Sequence, residues 1–182
     1  MKSWYKIAQI IEPHLLSPEK LNDVPGYKYD PNLPSEGQYI DGTVVLGPKA
    51  YELSPEGRKN VILHEHSHEL DSRMSQSDQM KILDAADKGI LGERIETPNG
   101  FYLKSNFTGQ YKPNEIVVDA YAHLMGSAEE RSYVMSRAPK VAHLAMDIAS
   151  RCNLVVPAPE WDATHSSPPN SYVLKNGFYS PV

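Results

Sequence analysis

Cysteine is nearly absent. The 182 residues contain one, Cys152, so no internal disulfide framework can staple the fold. Long apolar runs are absent too: no stretch approaches the length of a membrane span, and none is expected. There is no basic run, and a formal net charge of -5 argues against a nucleic-acid partner. No segment repeats. The N-terminus lacks the marks of a secretory leader, since Met1-Lys2-Ser3-Trp4-Tyr5-Lys6-Ile7-Ala8-Gln9-Ile10-Ile11 has a lysine and a glutamine inside its apolar run and no small-residue cleavage site. Read as it stands, the chain is expected in the cytoplasm; read as a processed fragment, it would be secreted.

What is present suffices for one sizeable core. A hydrophobic content of 40% over this length predicts a single domain over residues 1–152, followed by a Pro-rich tail over 153–182 that is extended or disordered. Pro157, Pro159, Pro168, Pro169 and Pro181 lie in that tail, without helical periodicity. Residues 3–11 read as a short helix. Pro13, Pro18, Pro25, Pro31 and Pro34 mark 12–37 as loop. Asp41-Gly42, between Tyr39-Ile40 and Thr43-Val44-Val45-Leu46, is a hairpin signal. Helices are expected over 77–88, stopped by Gly89, and over 113–125, stopped by Gly126. A short charged helix comes after its cap Ser127, and a last one runs from Pro139 to about Arg151. Thr97-Pro98-Asn99-Gly100 suggests a second hairpin or a flap within 92–112. In the last helix Val141, Leu144, Ala145 and Ile148 share a face with Cys152, which makes that residue a buried thiol rather than a nucleophile.

The richest stretch is Val61-Ile62-Leu63-His64-Glu65-His66-Ser67-His68-Glu69-Leu70-Asp71. Ser54-Pro55-Glu56 ahead of it supplies an N-cap residue and a proline at the first helical position, so a helix is predicted independently of the histidines. At about 100° per residue, His64 and His68 point the same way with Val61 and Asp71 beside them, while His66 points to the opposite side. Leu63 and Leu70 fall on the flank away from the histidines and can anchor the helix. Two imidazoles on one face, with a glutamate directly after the first, are the His-Glu-x-x-His arrangement of zinc hydrolases. In it Glu65 can take a proton from a metal-bound water.

A catalytic zinc takes three protein ligands and keeps one position open. Glu115, in Pro113-Asn114-Glu115-Ile116-Val117-Val118-Asp119, is the candidate third ligand. Asp119 stands four residues on, sharing its face, where it could accept the N–H of a zinc-bound histidine; Asp71, one turn beyond His68, could support the site in the same way. Taken alone, Glu115 and Asp119 read equally as two solvated helix carboxylates. His66 and His143 read as surface or packing residues, His123 lies only partly off the Glu115 face, and His14 and His165 sit in loops.

In this order the residues resemble the catalytic domain of anthrax toxin lethal factor and the related secreted Pro-Pro endopeptidases. Those enzymes carry a strand, a helix with His-Glu-Phe-Gly-His, then a helix bearing a zinc glutamate and, four residues on, a second acid. The strand Thr43-Val44-Val45-Leu46-Gly47-Pro48, the helix His64-Glu65-His66-Ser67-His68 with Asp71, and Glu115-Ile116-Val117-Val118-Asp119-Ala120-Tyr121 look like those parts. Leu124-Met125-Gly126-Ser127 and Ala138-Pro139-Lys140 are similar to the next stretch of lethal factor, so the resemblance covers about residues 38–150. Ser67 replaces the family's glycine before the second histidine.

The resemblance implies a zincin-like α+β metalloprotease domain, mostly helical, with a small sheet beside the motif helix. It implies Zn²⁺ on His64, His68 and Glu115, Glu65 as general base, and Asp119 behind the ligands. It also implies a tyrosine that stabilises the oxyanion, for which Tyr111 is the nearest match, although it stands closer to Glu115 than the family pattern has it. The expected partner is a peptide or protein substrate bound in extended form by a monomer, along a strand edge beside the motif helix. Two other readings stay open: a non-catalytic zinc-containing protein that works by binding a partner, and a cytosolic regulator-cleaving protease of another His-Glu-x-x-His family. An intact Glu65 counts against the first, since a structural site needs no base.

Overall fold

The structure, a computed structural model, describes residues 12–92, 113–158, 172–175 and 178–181. It is a mixed α+β fold with seven α-helices and two three-stranded sheets among the described residues. These residues fall into two compact units that divide between Glu69 and Leu70. The expected helix over 3–11 and the hairpin or flap within 92–112 lie outside the described residues.

In the first unit, strand β1 (Tyr27–Tyr29) runs parallel to β3 (Thr43–Leu46), and β2 (Gly37–Ile40) runs antiparallel to β3 on its other side. Between β2 and β3, Ile40 pairs with Thr43, which leaves Asp41 and Gly42 as a two-residue turn. Both have positive φ, 47° and 82°, which a primed hairpin turn demands and which Asp-Gly supplies at low cost. Helices α1 (Pro18–Leu21) and α2 (Pro48–Glu52) are short, and α3 (Pro55–Arg73) begins in this unit. Leu21, Val24, Tyr27, Val44, Leu46, Ala50, Val61 and Ile62 form the core cluster, so the sheet, α1 and the first turns of α3 are buried together.

The stretch 12–37, expected as loop, contains α1, β1, the start of β2 and a 3-10 turn at Pro13–Leu15. The prolines there do not all act as breakers. Pro13 and Pro18 stand in the first turn of their elements, where a missing N–H costs nothing and a fixed φ helps. Pro48, Pro55, Pro113 and Pro139 likewise open helices.

In the second unit, α4 (Gln76–Asp87) has the N-cap Ser75, whose hydroxyl accepts from the Asp78 N–H while the Asp78 carboxylate accepts from the Ser75 N–H. The helix ends two residues before Gly89. Helix α5 (Pro113–Met125) is buried from Ile116 through Met125, and α4, α6 (Ala128–Arg137) and α7 (Pro139–Arg151) pack on it. Ser127 caps α6 with Glu130 in a second reciprocal capping box. Along α7, Val141, Ala145 and Ile148 are buried as expected, with Leu144 half-buried at the edge of the stripe.

Within 153–182 the described residues include three strands joined in a sheet. Strand β4 (Val156–Pro157) pairs with β6 (Phe178–Pro181), which pairs with β5 (Tyr172–Lys175), all antiparallel. Leu154, Val156, Ala158, Tyr172 and Phe178 are buried there. Pro157 is compatible with this sheet because β4 is an edge strand. No helix among the described residues is long and apolar enough to cross a membrane.

Candidate metal centre

Helix α3 starts as its sequence requires: Ser54 Oγ accepts the Gly57 N–H at 3.1 Å, and the Arg58 N–H bonds to the Ser54 carbonyl. Once the helix is set, its period aligns His64 and His68. Both are half-buried, their Nε2 atoms are 3.2 Å apart, and their rings stand edge to face with centroids 4.9 Å apart. Glu115 stands in the first turn of α5 and is half-buried. One ligand atom from each of His64, His68 and Glu115 lies within 4.8 Å of the other two.

This donor set fits a metal ion. Two imidazole nitrogens at 2.0–2.1 Å from a tetrahedral zinc would be separated by about 3.3 Å, close to the observed 3.2 Å. Two neutral nitrogens and one carboxylate are also a common catalytic zinc set, leaving a fourth position for water.

The other expected members on these helices stand next to these three in the chain or within one helical turn of them. Glu65 comes directly after His64 and is buried at 8% exposure. Asp119 is buried one turn beyond Glu115. Asp71 is half-buried, and its Oδ1 accepts a hydrogen bond from Asn114 Nδ2 at 3.1 Å. That bond joins the last turn of α3 to the residue before Glu115. Tyr111 lies outside the described residues.

Two positions were missed by sequence reasoning. Asn114 reads in the sequence only as a polar residue near a helix start, and its contact with Asp71 is made across a long stretch of chain. Gly37 lies against the side chains of Val61 and Glu65, so close that a Cβ there would meet Glu65 Cγ at 2.7 Å. A glycine at a strand start carries no such signal in one dimension.

The opposite face of α3 is structural. His66 is 2% exposed and its Nε2 pairs with the Tyr27 hydroxyl at 2.6 Å, the two rings meeting edge to face. Burial pushes the His66 pKa down to about 3 and pushes Tyr27 well above its ordinary value, so both are neutral groups in the core. Ser67 is fully buried and donates to the Leu63 carbonyl at 2.7 Å, so its hydroxyl is satisfied within the helix. Leu70 anchors the helix as expected, but Leu63 is only half-buried, and Ile62 takes the core place instead.

Of the remaining histidines, His123 is buried on α5, His143 is half-buried on α7, and the His14 carbonyl accepts from Arg58 Nη1; His165 lies outside the described residues. Cys152 is buried and free, and burial, helped by the nearby Asp78 charge, raises its thiol to about 11, which suits packing and not attack. Comparison of the chain with protein-family models, with curated proteins and with solved structures finds no match in any of the three.

Proposed function

We propose that the chain is a zinc-dependent endopeptidase of zincin-like, lethal factor-like type. The observation that carries the reading is the convergence of His64, His68 and Glu115 within 4.8 Å, with Glu65 directly after the first ligand. His64, His68 and Glu115 would hold the ion. A zinc bound there would supply Lewis acidity, lowering the pKa of a water to about 7 and polarising the scissile carbonyl.

The rest of the chemistry belongs to the chain. Glu65 accepts the proton of the attacking water and returns it to the leaving amine. Its burial holds its carboxylate in one place. Asp119 and Asp71 orient the ligands by accepting or relaying hydrogen bonds, which fixes ring orientation and tautomer. Strand β2 is an edge strand among the described residues and lies against Glu65, so an extended peptide adding to that sheet runs past the base.

Metal analysis of gently purified protein, with cleavage of a peptide library measured on the same sample, tests this. The expected result is close to one zinc per chain, with proteolysis abolished by a chelator and restored by zinc. Glu65→Gln should keep the metal while turnover falls by roughly 10²–10⁴-fold. A preparation without transition metal, or unchanged cleavage by the Gln variant, rejects the mechanism.

A further inference from the structure

Gly37 opens β2, and its φ is not in the left-handed region, so nothing in its backbone conformation calls for glycine. What calls for it is space. A Cβ at 37 would stand 2.7 Å from Glu65 Cγ, 2.8 Å from Val61 Cγ1 and 3.0 Å from Glu65 Oε1. These are not loose ends of long side chains. Val61 is β-branched, 7% exposed and part of the core cluster, so it resists rotation, and Glu65 Cγ is only one bond from the Cβ fixed by the helix.

Gly47 is crowded for a different reason. A Cβ there would meet the carbonyl oxygens of Ser35 and Leu33, a backbone-to-backbone approach that serves the fold alone. At Gly37 the backbone of the strand approaches two side chains, and one of them is the base. Along β2 the alternation puts Gly37 and Tyr39 on the same, half-buried face. Tyr39 packs on the core cluster, and Glu65 fills the space where Gly37 has no side chain. The Gly37 carbonyl accepts from Ser35 Oγ at 2.8 Å, which ties this point of the strand down.

We propose that Gly37 is a positioning residue for Glu65: the bare backbone of β2 is the wall that fixes the Glu65 methylenes, and so the carboxylate, in one place. A general base must be held to within about 0.5 Å to act efficiently, and packing is what holds it. The inference rests on the peptidase reading for its catalytic half, while the contact itself stands on the geometry.

The test is Gly37→Ala in the full chain, alone and combined with Glu65→Ala. In the zinc-free protein, overpacking should lower Tm by about 3–10 °C in the parent and by less than half as much once Glu65 is Ala. Zinc affinity, read by chelator competition, should change by less than about 10-fold, because no ligand or ligand partner is touched. The kcat should fall at least about 10-fold with little change in KM, since the displaced carboxylate no longer meets the water it acts on.

Equal Tm losses in the two backgrounds would show that Glu65 is not the group the wall confines, and would overturn the inference. So would an unchanged kcat. If Gly37→Ala alone does not fold, the same measurements in a Val61→Ala background, where one collision is removed, decide the matter. A parent chain that neither binds zinc nor cleaves peptides overturns the peptidase reading, and the catalytic role of Gly37 with it. A parent that does both while Gly37→Ala retains its kcat overturns only the present proposal.

Discussion

Helices α3 and α5 present the candidate ligands in different ways. α3 offers His64 and His68 from the interior of a 19-residue helix, where the helical repeat alone sets their spacing. α5 offers Glu115 from its first turn, so the carboxylate's place depends on where the helix begins. Pro113 starts that helix, and the Asn114–Asp71 hydrogen bond fixes its first turn. Thereafter α5 is buried residue after residue from Ile116 to Met125, whereas α3 alternates core and half-buried positions. A pair within one helix is specified by local sequence; a third ligand has to be delivered by packing.

Breaking the delivered ligand should have the largest effect. Glu115→Ala should weaken zinc by more than about 100-fold, beyond the usual cost of losing a supporting partner, whereas Asp119→Asn should keep zinc with affinity lowered by roughly 10–100-fold. Titration of both variants against a competing chelator gives the comparison directly. The opposite ranking would move the ligand assignment one helical turn along α5.

A smaller change sharpens the same contrast. Asn114→Ala removes one hydrogen bond to Asp71, worth about 1 kcal/mol, so zinc affinity should fall about fivefold while the His64–His68 pair keeps its geometry. A cobalt-substituted sample would report this as weaker binding with a little-changed spectrum. Affinity equal to the parent's would mean that Pro113 and the buried face of α5 suffice to place Glu115.

The smallest effect is expected at Asp78, in the capping box that opens α4. Burial alone would raise its pKa, but hydrogen bonds from Ser75 and Arg151, the latter at 2.7 Å, outweigh that and leave it lowered. Its charged form therefore stabilises the fold above the ordinary carboxylate value of about 3.9, and that contribution is lost as pH falls through the lowered folded-state value. Asp78→Asn should cost about 0.5–2 kcal/mol at pH 7, through the weakened capping box, and should flatten the decline of Tm below about pH 4. Zinc affinity should not change. A parallel decline in both proteins would remove Asp78 from the acid response.

Much of this was legible in the sequence, and the reasons differ by residue. Asp41-Gly42, Pro55, Pro113, Ser127 and Pro139 are local signals, and each turn or helix start falls where they put it. The pair His64 and His68 comes from the helical period. Glu115 was reachable because it shares a face with Asp119 in a well-marked helix. What escaped depends on contacts distant in the chain. β1 pairs in parallel with β3, a pairing that no turn residue announces. Tyr27 gives no hint that His66 will sit against its hydroxyl. Proline density suggested loop over 12–37, yet position within the turn decides whether a proline breaks a helix or opens one. Gly37 and Asn114 matter through what lies beside them in space.

The Tyr172 hydroxyl lies 3.0 Å from the Ser150 carbonyl and 2.8 Å from that of Leu154, while Tyr121 donates to Val155 at 2.7 Å. Two phenols thus complete the backbone where α7 gives way to β4. One of them comes from a stretch whose prolines suggest something expendable. Trimming the chain after residue 158 would strip β4 of its neighbour β6 and leave the Leu154 carbonyl bare, at about 1–3 kcal/mol for a buried acceptor. The last strands are thus a clasp on the final helix, and a shortened protein would lose stability from the end of α7 inward.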